Sequence, residues 1–237
     1  MENSFLSTKS QRPQDWQTMF EKWAEEAPKG PLKDYYLAGM ISEKIPLQDT
    51  PLLALDLETT GLDPKKDEII SLGLIPFNSQ IIRCNGAKYW MAKPEHSLHA
   101  DSVTIHEITH SELAKAPPLS SILEGVLKAL TKQVVVVHCV AIERQFLLAA
   151  SMEVYGYPLY FPVIDTMGIE RQVLHKPWWK RFGKPPSLRL DASRQRYHLP
   201  RYKAHHALTD ALSSAELLQA QIAYHLDPKA SISNYWI

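Results

Sequence analysis

Hydrophobic and polar positions recur with two different periods along this chain, and the switches between them predict its elements. In "DWQTMFEKWAEEAPKGP" the residues Trp16, Met19, Phe20, Trp23 and Ala24 fall on one helical stripe, which Pro28, Gly30 and Pro31 stop. From Pro51 the period drops to two: Leu53, Leu55 and Leu57 alternate with Ala54, Asp56 and Glu58, as in a strand. "EIISLGLIPFNSQIIRCNGAKYWMAKP" reads as two further strands joined through Asn78 and Ser79. Ile122, Leu123, Val126, Leu127 and Leu130 form a second helical stripe, and "VVVV" at 134–137 reads as a fully buried strand. A helix over "AIERQFLLAASM", a short strand "YFPVID" and a long helix over "AHHALTDALSSAELLQAQIAYHL" follow. Strands first, then alternation of strands and helices, predict an α/β fold.

The helical N-terminal extension, residues 1–50, is expected to dock on a main domain at 51–228, with residues 229–237 as a C-terminal tail. A protein partner bound through the N-terminal helix is the alternative. Composition supports a folded chain: 45% hydrophobic and 22% charged residues in 237 suffice for a core. No run reaches the roughly 18 to 20 apolar residues of a membrane span, and the N-terminus lacks a signal-peptide pattern, so a cytoplasmic location is expected. Cys84 and Cys139 give neither a disulfide framework nor metal spacing, and both read as reduced, half-buried thiols.

Net charge is zero, but its distribution is uneven. From Arg171 to His206 there are ten Lys or Arg against Asp191, interleaved with Trp178, Trp179, Phe182 and Tyr197. Such a segment suits a single strand, with cations on phosphates and rings on bases, or else is a solvated basic loop.

The alternation in "LALDLETTG" puts Asp56 and Glu58 on one face, about 7 Å apart at their backbones. Two acids so placed repel unless a hard divalent cation such as Mg²⁺ sits between them, or the strand is an exposed edge. Thr59 and Thr60, with Gly61, offer hydroxyls and a flexible backbone to a substrate. His205 and Asp210 are five positions apart, about 140° around a helix. They meet at one place only if His205 precedes the helix and Asp210 lies in its first turn. There a histidine can be a general base and the aspartate a metal ligand; a surface His and a capping Asp is the plainer alternative.

Together these stretches resemble the DEDDh group of 3′-to-5′ exonucleases, which includes the proofreading subunit of bacterial DNA polymerase III. "DLETTG" and "HHALTD" match its first and third motifs, and the likeness runs from about Leu52 to Leu226. It implies an RNase H-like fold, a mixed sheet flanked by helices. It also implies hydrolysis of single-stranded nucleic acid from the 3′ end, DNA favoured, with two Mg²⁺ or Mn²⁺ ions and release of nucleoside monophosphates. Asp56, Glu58 and Asp210 would then hold the first metal, Asp56 would bridge to the second, and His205 would deprotonate the attacking water. Leu62 would wedge against the terminal base, and His138, Thr59 and Thr60 would meet substrate.

The second motif departs from the family's His-Asn-Ala-x-Phe-Asp: here it is "HCVAIE", with Cys139 for Asn and Glu143 for Asp. Glu143 keeps the charge but reaches about 1 Å deeper, and it is expected to serve the second metal. Asp165 is the nearest compensating acid. Two rivals remain: a catalytically weak nucleic-acid-binding or polymerase-associated module, and an RNA-trimming exoribonuclease of the same fold. "HEITH" at 106–110 also fits the zinc-peptidase H-E-x-x-H pattern, but β-branched Ile108 and Thr109 argue against the helix this needs.

Overall fold

The computed structural model describes residues 15–95, 108–175 and 185–237. Its sheet runs β3-β2-β1-β4-β5, with β1 Leu52–Thr59, β2 Ile69–Phe77, β3 Lys88–Met91, β4 Val134–Val137 and β5 Val163–Asp165. The first three strands pair antiparallel as successive turns of chain, whereas β4 and β5 join parallel to β1. Parallel strands need crossovers, and helices supply them. α1 (Trp16–Glu26) and α2 (Pro31–Leu37) precede the sheet; α3 (His110–Lys115) and α4 (Leu119–Leu130) lead into β4. α5 (Val140–Tyr155) connects β4 to β5, and α6 (Thr166–Val173), α7 (Leu190–Arg196) and α8 (Ala207–His225) follow. No helix among the described residues is long and apolar enough to cross a membrane.

The Asn78 turn forms as expected, its side chain accepting from the Gln80 and Ile81 N–H groups. The third strand nevertheless starts late. Ile82 makes only an isolated bridge to Phe77, and regular pairing waits until Lys88. Pro76 explains the gap: its carbonyl accepts from Arg83 N–H at 2.9 Å, but it has no N–H to return on that edge.

Of the predicted stripe, α1 buries Trp16, Phe20, Trp23 and Ala24 in the same core as the sheet, and Met19 packs against it half-buried. Pro31 does not merely end a helix; it opens α2 at its first position, which locality alone obscured. Trp23 stacks on Tyr160 at 4.5 Å, while Tyr36 Oη donates to the Pro158 carbonyl (2.8 Å) and accepts from Tyr160 N–H (2.9 Å). The apolar face of α1 is therefore covered by this chain. Trp23→Ala is expected to cost about 3–5 kcal/mol, read as a lower denaturant midpoint.

Residues near the C-terminus are knitted to the segment before β1. Leu47 N–H donates to Ala230 O and Ile232 N–H to Ile45 O, each at 2.9 Å, and Ile237 pairs with Val163 on the outer edge of β5. Trp236 is buried. Cys139 is half-buried as expected, but Cys84 is exposed.

Candidate active site

The site begins with a contradiction in β1. Seven of its eight residues are buried, yet the remaining one, Asp56, is a half-buried carboxylate in a central strand, and Glu58, two positions on, is a buried one. The register explains how the space around them is used: Asp56 faces Gly73 on β2 and Glu58 faces Ser71. Cross-strand partners share a face, so an absent side chain at Gly73 leaves room above the sheet. α8 occupies it. A Cβ on Gly73 would lie 2.3–2.4 Å from the backbone of Ala207 and Leu208. Nothing in the alternation of β1 reveals this glycine's role; its signal is a Gly inside the strand pattern "SLGLIPF".

With α8 starting at Ala207, His205 precedes the helix and Asp210 falls in its first turn, the arrangement their spacing required. His205 adopts a left-handed backbone (φ 70°) and its N–H donates to Asp210 Oδ2 at 2.8 Å. Asp56, Glu58 and Asp210 each bring a carboxylate oxygen within 4.8 Å of the others. Glu143, in the first turn of α5, is not in that group, but it is buried and its charge acts on Asp56. No hydrogen-bond partner for its Oε2 is found among the described residues.

These acids resist ionisation. Burial, then repulsion from Glu143, Glu58 and Asp210, holds Asp56 well above the carboxylate range. Burial pushes Glu143 up to about 8, with Asp165 adding repulsion, and Asp165 itself up to about 6. Asp210 is raised as well, mainly by burial, against the opposing hydrogen bond from His205. Converging oxygen donors with an excess of negative charge and an orphaned buried oxygen are what a hard divalent cation satisfies. The residues fit such an ion.

A pH dependence follows. For Glu143 and Asp165 the folded pKa values of about 8 and about 6 exceed the unfolded carboxylate values of about 4.3 and 3.9. The folded state thus binds protons more tightly, and stability falls as pH rises through that window. In a metal-chelating buffer the thermal midpoint is expected to be lower at about pH 8 than at about pH 5.

The other predicted contacts are placed as follows. Thr59 Oγ1 donates to Gly61 O at 2.5 Å; Thr60 Oγ1 accepts from Glu68 N–H at 3.0 Å, so both hydroxyls serve the turn itself. Asp67 braces the same turn by accepting from Asp63 N–H at 2.8 Å. Leu62, at its tip, is 78% exposed. His138 is buried, with Nδ1 2.8 Å from Thr166 Oγ1 and Nε2 2.7 Å from Leu188 O, and so ties β4 to the segment leading into α7. Burial lowers its pKa. Asp165 caps α6, accepting from Met167 N–H at 3.1 Å.

A cleft of about 960 Å³ runs from Leu62 past His205 and Asp210, walled by Arg189, Arg201 and Tyr202. It divides the basic segment into two kinds of residue. Arg194 is buried, donating to Ser213 O, Pro200 O and Glu216, and Arg196 and Tyr197 both bind Glu170. These three hold α7 in place, whereas Arg189 and Arg201 are exposed along the cleft. Lys176, Trp178, Trp179, Lys180, Arg181, Phe182 and Lys184 lie outside the described residues. So do His106 and Glu107 of "HEITH". Among the described residues, Thr109 is the non-helical N-cap of α3, so no helix passes through Thr109 as the zinc-peptidase reading requires.

Known proteins resemble this chain in sequence and in fold. Residues 53–218 match the RNase_T family model, described as Exonuclease. The DNA polymerase III PolC-type of Thermotoga maritima is 28% identical over 178 residues, covering 75% of this chain but only 12% of that protein. The DNA polymerase III subunit epsilon of Treponema pallidum is 27% identical over 182 residues, covering 77% of this chain and 81% of that protein. The solved nuclease domain of 3'hExo, a DEDDh family member bound to rAMP, aligns with a TM-score of 0.61 at 14% identity, over 75% of this chain and 94% of that one. The mixed sheet flanked by helices is accordingly an RNase H-like α/β fold. Since the family model spans well over half of its length, this chain belongs to the exonuclease family of hydrolytic enzymes.

Proposed function

We propose that the chain hydrolyses single-stranded nucleic acid from its 3′ end, with DNA as the favoured substrate, releasing nucleoside monophosphates with the help of two Mg²⁺ or Mn²⁺ ions. The observation that carries this is the convergence of Asp56, Glu58 and Asp210 within 4.8 Å at the edge of a basic cleft. Asp56, Glu58 and Asp210 would hold one ion, and Asp56 with Glu143 would serve the other. Such ions, when bound, lower the pKa of water and stabilise negative charge on a phosphate. The protein's own groups do the rest. His205, beside Asp210 at the cleft, takes a proton from the attacking water. Arg189 and Arg201 meet backbone phosphates, which aligns the strand without reading its sequence. Exposed Leu62 packs against the terminal base.

DNA is favoured because the relatives are named as DNA polymerase III components, although the structural neighbour carries rAMP. A polymerase partner fits the epsilon-like relative; with the apolar stripe of α1 already buried, it would dock elsewhere than on that stripe. Matched 5′-labelled DNA and RNA oligonucleotides incubated with Mn²⁺ test the reading. A ladder shortening from the 3′ end, faster on DNA, is expected. A retarded but intact oligonucleotide would favour a binding module, and a faster ladder on RNA an exoribonuclease.

A further inference from the structure

We infer that Tyr89, on the outer strand β3, is a positioning residue for the His205 general base, acting through a ring contact with His206. The inference rests on the exonuclease reading above. Tyr89 faces Gly73 across β2, and Gly73 faces Asp56 across β1, so the three share one face of the sheet. The missing side chain of the middle residue admits the start of α8, and Tyr89 is its cross-strand neighbour on that face. Its ring lies 4.9 Å from the His206 imidazole at an interplanar angle of 15°, a stacked geometry.

His206 needs that support. It is the N-cap of α8 but makes no side-chain capping bond, and no hydrogen-bond partner for its buried Nδ1 is found among the described residues. Its ring is therefore located by packing. Its backbone, in turn, locates the chemistry: the His206 carbonyl accepts from Asp210 N–H at 2.9 Å, and the preceding residue's N–H donates to the Asp210 carboxylate at 2.8 Å. That preceding residue, His205, sits in a left-handed conformation unfavourable to a side chain with a Cβ, so neighbouring contacts must hold it there. The stack anchors one side of this turn and the Asp210 bonds anchor the other. A displacement of about 1 Å in a catalytic group is enough to cost on the order of 100-fold in rate.

The test is a steady-state comparison on one single-stranded oligonucleotide, with thermal melts and Mn²⁺ binding measured on each variant. Tyr89→Ala and His206→Ala should each lower kcat about 10- to 100-fold while KM stays within about twofold and Mn²⁺ binding is retained. Tyr89→Phe and His206→Phe should restore most of kcat, since a flat ring suffices. The double alanine variant should be little worse than either single one, because both remove the same contact. Unchanged kcat in both alanine variants would overturn the inference, as would additive losses or a Tyr89→Phe variant as poor as Tyr89→Ala. Should Tyr89→Ala fail to fold, the His206 pair decides. His205→Ala, run alongside, separates the two levels: if it retains full activity the base assignment fails, whereas an inactive His205→Ala beside a fully active His206→Ala overturns only the role of the stack.

Discussion

Asp56→Asn is expected to abolish 3′-end hydrolysis and, at the same time, to make the metal-free protein more stable. Without a cation Asp56 either ionises against Glu143, Glu58 and Asp210 or takes up a proton above the carboxylate range, and both are unfavourable. An amide of the same shape avoids the choice. The gain should be about 0.5–2 kcal/mol, the usual size when a functional site is relieved of its own strain. The loss of activity should exceed the roughly 10- to 100-fold typical of residues that only support metal ligands. Melting in a chelating buffer and an oligonucleotide rate assay check the two halves. A variant that lost activity and stability together would point to a structural role for Asp56.

Gly73→Ala is expected to be nearly as damaging, although the residue touches no reacting group. Its methyl would overlap backbone atoms of Ala207 and Leu208, which cannot rotate away as a side chain can. The start of α8 must lift, and with it Asp210 and the His205 turn. Overpacking of this kind costs about 1–3 kcal/mol or more, and the misplaced carboxylate about 100-fold in rate. Gly125→Ala provides the contrast. There the methyl would meet Trp90 no closer than 3.4 Å, inside α4. Activity should persist and stability rise by about 0.4–1 kcal/mol. Rate assays and melts on both variants give the comparison.

The shared face of Asp56 and Glu58 was legible because the strand period alone fixes it, whereas the meeting of His205 with Asp210 depended on where the last helix starts, which the pattern suggested and the structure puts at Ala207. The apolar stripe of α1 was legible from its period, but what covers it was not, and Tyr36 and Tyr160 supply that cover. What the sequence hid were partners distant in the chain: Gly73 for Ala207, Leu188 for His138, Glu170 for Arg196 and Tyr197. A basic, aromatic run looks uniform in sequence, yet Arg194 is a buried clamp in the cleft wall while Arg189 and Arg201 are exposed along it. Glu143 lies between these cases. Its helix and first-turn position followed from the pattern, but its burial beside Asp165 and its pKa of about 8 depend on how α5 packs.

The proposed metal centre is open to a direct count. Mn²⁺ titrated into the metal-free protein, with free ion followed by electron paramagnetic resonance, should show two ions bound per wild-type chain and at least one lost in Asp56→Asn. A wild-type protein that leaves the Mn²⁺ free, or an Asp56→Asn variant that binds as much as its parent, would contradict the account.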